Sequence, residues 1–114
     1  RGRGWMLGEG RPTLTLTYPR GGHNTRPLSR ILIGMHDYYS GIDAKSFAVT
    51  ANFPVNGLKP GTNLAGKFFK KTDGIWELPL STSINSLREG TLKVSVKDHE
   101  GNTTRIERSF SIGR

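Results

Sequence analysis

The chain has 114 residues, no cysteine, and 17 basic side chains against 9 acidic ones, for a net charge of +8. A chain of this length builds one core and rarely two, and without cysteine it has no disulfide, no thiolate metal site and no cysteine nucleophile. With a mean hydropathy of -0.49 and no run near the roughly 18 apolar residues of a membrane helix, it reads as a water-soluble domain. Because it starts at Arg1 and not at Met, it reads as a mature or excised fragment whose targeting information lies elsewhere.

In chain order, residues 1–12 (RGRGWMLGEGRP) are rich in Gly and Arg and have no hydrophobic period, so they read as a linker or arm ahead of one domain at 13–114. Arg1, Arg3, Arg11, Arg20, Arg26 and Arg30 stand against Glu9 alone, which puts most of the charge excess in the first 30 residues. From Thr13 the period is two. Leu14, Leu16 and Tyr18 fall on one face and three threonines on the other until Pro19. After a turn-rich PRGGHNTRPLS, a strand over 30–37 puts Ile31, Ile33 and Met35 in phase, and its β-branched content suits a central position.

The segment YYSGID reads as a turn, and Ser46 to Phe53 as a strand with Phe47, Val49, Ala51 and Phe53 on a common face. Asn56-Gly57 and Pro60-Gly61 mark turns, and Lys67 to Lys70 is a short strand with the flanking lysines of a sheet edge. Ile75 to Leu80 places Trp76, Leu78 and Leu80 together, with Trp76 as the expected core aromatic and Pro79 favouring an edge. STSINSLREG is expected to be a loop with Ile84 and Leu87 tucked in. Thr91 to Asp98 then gives the cleanest alternation, Asp98 to Asn102 a hairpin loop, and Thr103 to Ile112 the closing strand. In that last phase Arg108 points inward, so a bulge or an edge position is expected there. Seven strands without a useful amphipathic helix predict an all-β, two-sheet antiparallel sandwich, with a barrel as the alternative.

Two segments, RILIGMHDYYSGIDAKSFAVTANF and LREGTLKVSVKDHEGNTTRIERSFSI, resemble bacterial Ig-like and fibronectin-III-like modules, and the resemblance spans residues 13–112. It rests on Asp37 followed by Ser40-Gly41-Ile42-Asp43, and on Gly90, Val94, Val96, Asp98, Gly101 and Asn102 ahead of the last strand. It implies a non-catalytic accessory domain of a larger extracellular or periplasmic bacterial protein. Such a domain acts as spacer, docking surface or sugar-contacting appendage, with neighbouring domains as its partners. The fold alone does not choose among these.

Three constellations are candidates for binding. Tyr38 and Tyr39 at a turn, with Trp5, could stack on a polysaccharide, whereas packing of one ring over the sandwich end is the structural alternative. Asp37, Asp43, Asp98 and Asn102 could converge on Ca²⁺, a cation that takes six to eight oxygens. Asp in such turns more often accepts its own backbone N–H groups, so no cofactor is expected. Arg1, Arg3 and Arg11 could contact a polyanion, but no RNA-recognition platform or two-helix pattern points to a specific nucleic acid. His23, His36 and His99 have no metal-ligand spacing, Lys67, Lys70 and Lys71 beside Phe68 and Phe69 could favour an acidic glycan, and the Gly-rich stretches do not open a helix after a strand, so no phosphate loop is expected. With no nucleophile elbow either, the chain is not expected to be an enzyme.

Overall fold

A computed structural model describes residues 13–36, 42–72 and 74–113. It is a sandwich of two four-stranded sheets. In chain order the strands are β1 (Thr13–Tyr18), β2 (Gly22–Asn24), β3 (Leu28–His36), β4 (Ile42–Ala51), β5 (Phe69–Thr72), β6 (Ile75–Ile84), β7 (Leu87–Asp98) and β8 (Thr103–Ile112), with a single 3₁₀ turn at Ala65–Lys67 before β5. One sheet has the order β1-β3-β6-β5 and the other β2-β8-β7-β4. All pairings are antiparallel except that β2 runs parallel to β8, pairing Gly22 with Phe110 and Asn24 with Ile112.

The alternation read from the sequence is the alternation that is buried. Leu14 and Leu16, Ile31, Ile33 and Met35, Phe47, Val49 and Ala51, Leu78, Leu92, Val94 and Val96, and Phe110 and Ile112 meet between the sheets. Edge-to-face pairs of Phe47 with Phe68 (5.5 Å) and Phe53 with Phe110 (5.7 Å) tie the two ends of this core. Trp76 is only half-buried. It leans on Phe47 at 6.2 Å from the rim of the core and is not its centre.

Several sequence-based expectations change. Eight strands are present among the described residues, not seven, because the turn-rich stretch after Pro19 contains β2. The expected loop STSINSLREG is strand on both sides of a two-residue connection at 85–86. Its serines and threonines face solvent while Ile84 and Leu87 pack on the core. β4 starts earlier than Ser46 because a large irregularity between Asp43 and Ala48 breaks the alternation there. β5 begins two residues later than Lys67, after the 3₁₀ turn.

Arg108 needs no bulge, and of the two expected alternatives it takes the edge: β2 pairs with β8 only from Phe110 to Ile112, so among the described residues only β7 pairs with β8 at Arg108. The β7–β8 register is unbroken from Gly90 to Lys97, with Leu92 opposite Arg108. The inward guanidinium reaches across to the other sheet, where Nη1 donates to the carbonyls of Leu16 (2.8 Å) and Pro19 (3.3 Å). A charge at an inward position is tolerated because it supplies donors where β1 gives way to β2 and the sheets separate.

Candidate interaction surface

Several sequence-predicted positions are brought to one end of the sandwich. Thr13, at the start of β1, pairs with His36 at the end of β3, and Ile42, at the start of β4, pairs with Asp98 at the end of β7. Arg1, Arg3, Trp5, Arg11, Asp37, Tyr38 and Tyr39 lie outside the described residues, and so does the side chain of Asp43.

Asp98 and Asn102 are described in full. The alternation that buries Gly90, Leu92, Val94 and Val96 carries one step further to Asp98, which is 2% exposed. Its Oδ1 accepts the N–H groups of Glu100 (2.9 Å) and Asn102 (2.8 Å), and its Oδ2 accepts the side-chain amide of Asn102 (2.9 Å). Gly101, with φ of 90°, closes the turn by donating its N–H to the Asp98 carbonyl at 3.1 Å. The carboxylate and the amide thus hold the β7–β8 turn together. Among the described residues no group of three or more His, Asp or Glu side chains is placed to hold a metal ion.

His23 and His99 are not gathered, and the side chain of His36 lies outside the described residues. His23 sits on β2 with Nδ1 2.8 Å from the Ser111 hydroxyl, and His99 is exposed in the turn at the opposite end of β8. Of the phenylalanine pair at the start of β5, Phe68 is buried and Phe69 is 48% exposed. Lys71 pairs with Glu77 at 3.3 Å, and Arg30 reaches the same carboxylate at 3.9 Å.

One feature absent from the sequence reading is a cleft of about 560 Å³ at the other end of β1, where the chain leaves one sheet, forms β2 and returns as β3. Arg20, Arg26 and Arg30 line it, together with Tyr18. In the sequence these arginines counted only toward the regional charge excess. The signal that could have singled them out is the pair of prolines, Pro19 and Pro27, bracketing a basic, Gly-rich crossing. The Asn24 side chain fixes that crossing by donating to the carbonyls of Arg20 (2.9 Å), Gly22 (3.3 Å) and Ser111 (3.3 Å).

No protein-family model and no curated protein matches the chain. Similar solved structures include the endo-β-1,4-mannanase from Thermotoga petrophila, with a TM-score of 0.63 and 12% identity over 89% of this chain and 19% of that one. Dimeric latent PorU from Porphyromonas gingivalis gives a TM-score of 0.53 and 17% identity over 90% of this chain and 10% of that one. The chain therefore spans a small part of each of these proteins, and at such identities the likeness is one of fold: a β-sandwich domain.

Proposed function

We propose that this chain is a non-catalytic, Ig-like accessory module of a larger extracellular or periplasmic bacterial protein, serving as a spacer or docking domain. The observation that carries this reading is the split of the N-terminal edge between the two sheets. With β2 taken as the second half of the first strand, the sheet orders are those of the constant-type Ig sandwich, ABED facing CFG with the extra half-strand beside G. Two further features support it. Matching portions of the mannanase and of PorU make up 19% and 10% of those chains, as an accessory module would. Five polar side chains in or beside the connections, Asn24, Asn52, Asn56, Asn63 and Asp98, are engaged with backbone groups of their own fold.

The test is the purified chain itself, assayed for release of reducing ends from β-mannan and other polysaccharides and for cleavage of a denatured protein substrate. We expect one cooperative unfolding transition and no turnover. Turnover that copurifies with the chain and is lost on substituting one of its own residues would overturn the reading.

A further inference from the structure

We infer that the cleft framed by the β1–β2–β3 crossing is a binding site for an acidic polysaccharide, with Arg20, Arg26 and Arg30 holding its carboxylate or sulfate groups. This deepens the docking-module reading and rests on it. Arg20, Arg26 and Arg30 line one concavity, and its described lining includes no Asp or Glu. Arg20 and Arg26 make no ion pair among the described residues, and Arg30 has only the 3.9 Å approach to Glu77, a carboxylate that Lys71 holds more closely. Three like charges gathered in a concavity, with one carboxylate at the margin of only one of them, repel one another, and the field they focus is relieved by an anion. Arginine's planar fork matches a carboxylate or a sulfate with two parallel N–H donors.

The frame is built before any ligand arrives. Asn24 fixes the Arg20 carbonyl, the Gly113 N–H donates to the Asn24 carbonyl at 3.0 Å, and Arg108 holds the carbonyls of Leu16 and Pro19 behind the crossing. Preorganisation of this kind lowers the ordering cost of binding.

Size and chemistry choose the ligand. A volume of about 560 Å³ suits a short stretch of a single polymer chain and not a duplex. Nucleic-acid single strands are held by exposed rings on which bases stack. Of the two rings in the lining, Tyr18 packs against the core and donates its hydroxyl toward the Pro27 carbonyl at 3.4 Å, and His23 is tied through Nδ1 to the Ser111 hydroxyl at 2.8 Å. The hydroxyl groups of Thr17 and Thr25 beside the arginines suit a ligand that carries hydroxyls between its charges.

The test compares three charge-matched triple variants of the full chain. Arg20→Ser/Arg26→Ser/Arg30→Ser empties the cleft, Arg1→Ser/Arg3→Ser/Arg11→Ser neutralises the N-terminal segment, and Lys93→Ser/Lys97→Ser/Arg105→Ser neutralises the exposed face of the other sheet. Binding to polygalacturonate and to heparin is measured by calorimetry at about 0.15 M salt, a screening length near 8 Å, with poly(U) and polyglutamate in parallel. The expected result is a loss of affinity of about tenfold or more in the cleft variant alone, which is about 1.4 kcal/mol or more, and weaker binding of poly(U) and polyglutamate by the parent chain. The uronate and sulfate polymers distinguish which acid group the cleft takes. Equal losses in all three variants, a loss confined to the N-terminal variant, stronger binding of poly(U) or polyglutamate, or no binding of either glycan would each overturn the assignment. Should the cleft variant fold poorly, Arg20→Ser/Arg26→Ser, which leaves the Arg30–Glu77 approach in place, reads the same outcome. Turnover by the chain would remove the accessory-module reading without moving this result, whereas failure of the cleft leaves a spacer.

Discussion

The buried carboxylate of Asp98 accepts hydrogen bonds from two backbone amides and one side-chain amide, so its replacement strands donors that water cannot fully reach. Asp98→Ala is expected to lower unfolding stability by about 1–3 kcal/mol, read from urea denaturation, and a change under about 0.5 kcal/mol would mean that the turn is held by Gly101 and the backbone alone. Gly90 has the opposite problem. A Cβ built there would stand 2.6 Å from the Leu87 side chain and 2.8 Å from the Phe110 ring, where one extra residue on β7 bends it against β8. Gly90→Ala should therefore cost about 1–3 kcal/mol by overpacking, and the same change made with Phe110→Leu should cost less than the sum of the two, since the ring is what the methyl group meets.

Parts of the β4 and β6 edges are covered by loop backbone and by asparagine side chains acting as surrogate strands. Along the outer edge of β4, Gly61 donates to the Ala51 carbonyl (2.9 Å), Leu64 donates to the Val49 carbonyl (2.7 Å), and Asn63 Oδ1 accepts the Val49 N–H (3.0 Å). Beyond the end of β4, Asn52 continues the ladder to β7 by accepting the Thr91 N–H at 2.7 Å and donating to the Glu89 carbonyl at 3.2 Å. Asn56, in the left-handed region with φ of 49°, does the same for β6 by accepting the Ser81 N–H and donating to the carbonyl of Pro79. These contacts pair backbone groups of β4 and β6 that another chain could otherwise join. Asn63→Ala removes the partner of two amides, Val49 and Ala65. Amide exchange at Val49 should then quicken by about tenfold, the equivalent of about 1.4 kcal/mol of lost local protection, while Leu92, on the neighbouring strand β7, keeps its rate. Uniform acceleration at both sites would instead mean a global loss of stability.

At the scale of the whole molecule, β8 supports two neighbours of opposite direction, β7 along its full length and β2 at its end, and through Arg108 it also reaches β1. Its last residues, Phe110 and Ile112, are buried. A chain ending at Ser109 should consequently lose cooperative unfolding and amide dispersion in NMR spectra, because the second sheet loses the residues that pair with Gly22 and Asn24. Leu92→Ala, at a fully buried position of the same sheet, should lower stability by about 2–5 kcal/mol while leaving the fold and the charged cleft intact. Comparing the two by circular dichroism separates a loss of packing from a loss of topology.

The amino-acid sequence by itself determined which faces are buried, since alternation in β1, β3, β7 and β8 is a local property of side chains on a pleated strand. It also located the Asn56-Gly57 turn and the Asp98 turn, whose chemistry lies within a few residues. Tertiary structure alone decided what lies far apart in the chain. The parallel pairing of β2 with β8 joins residues nearly ninety positions apart. Arg108 became an inter-sheet donor because Leu16 and Pro19 stand opposite it, and no period could show that. STSINSLREG continued as strand because β3 and β8 offered partners, which outweighed its loop-like composition. The arginine cleft belongs to the same class: Arg20, Arg26 and Arg30 became one surface only when the chain crossed between sheets and back, a geometry that charge counting cannot express.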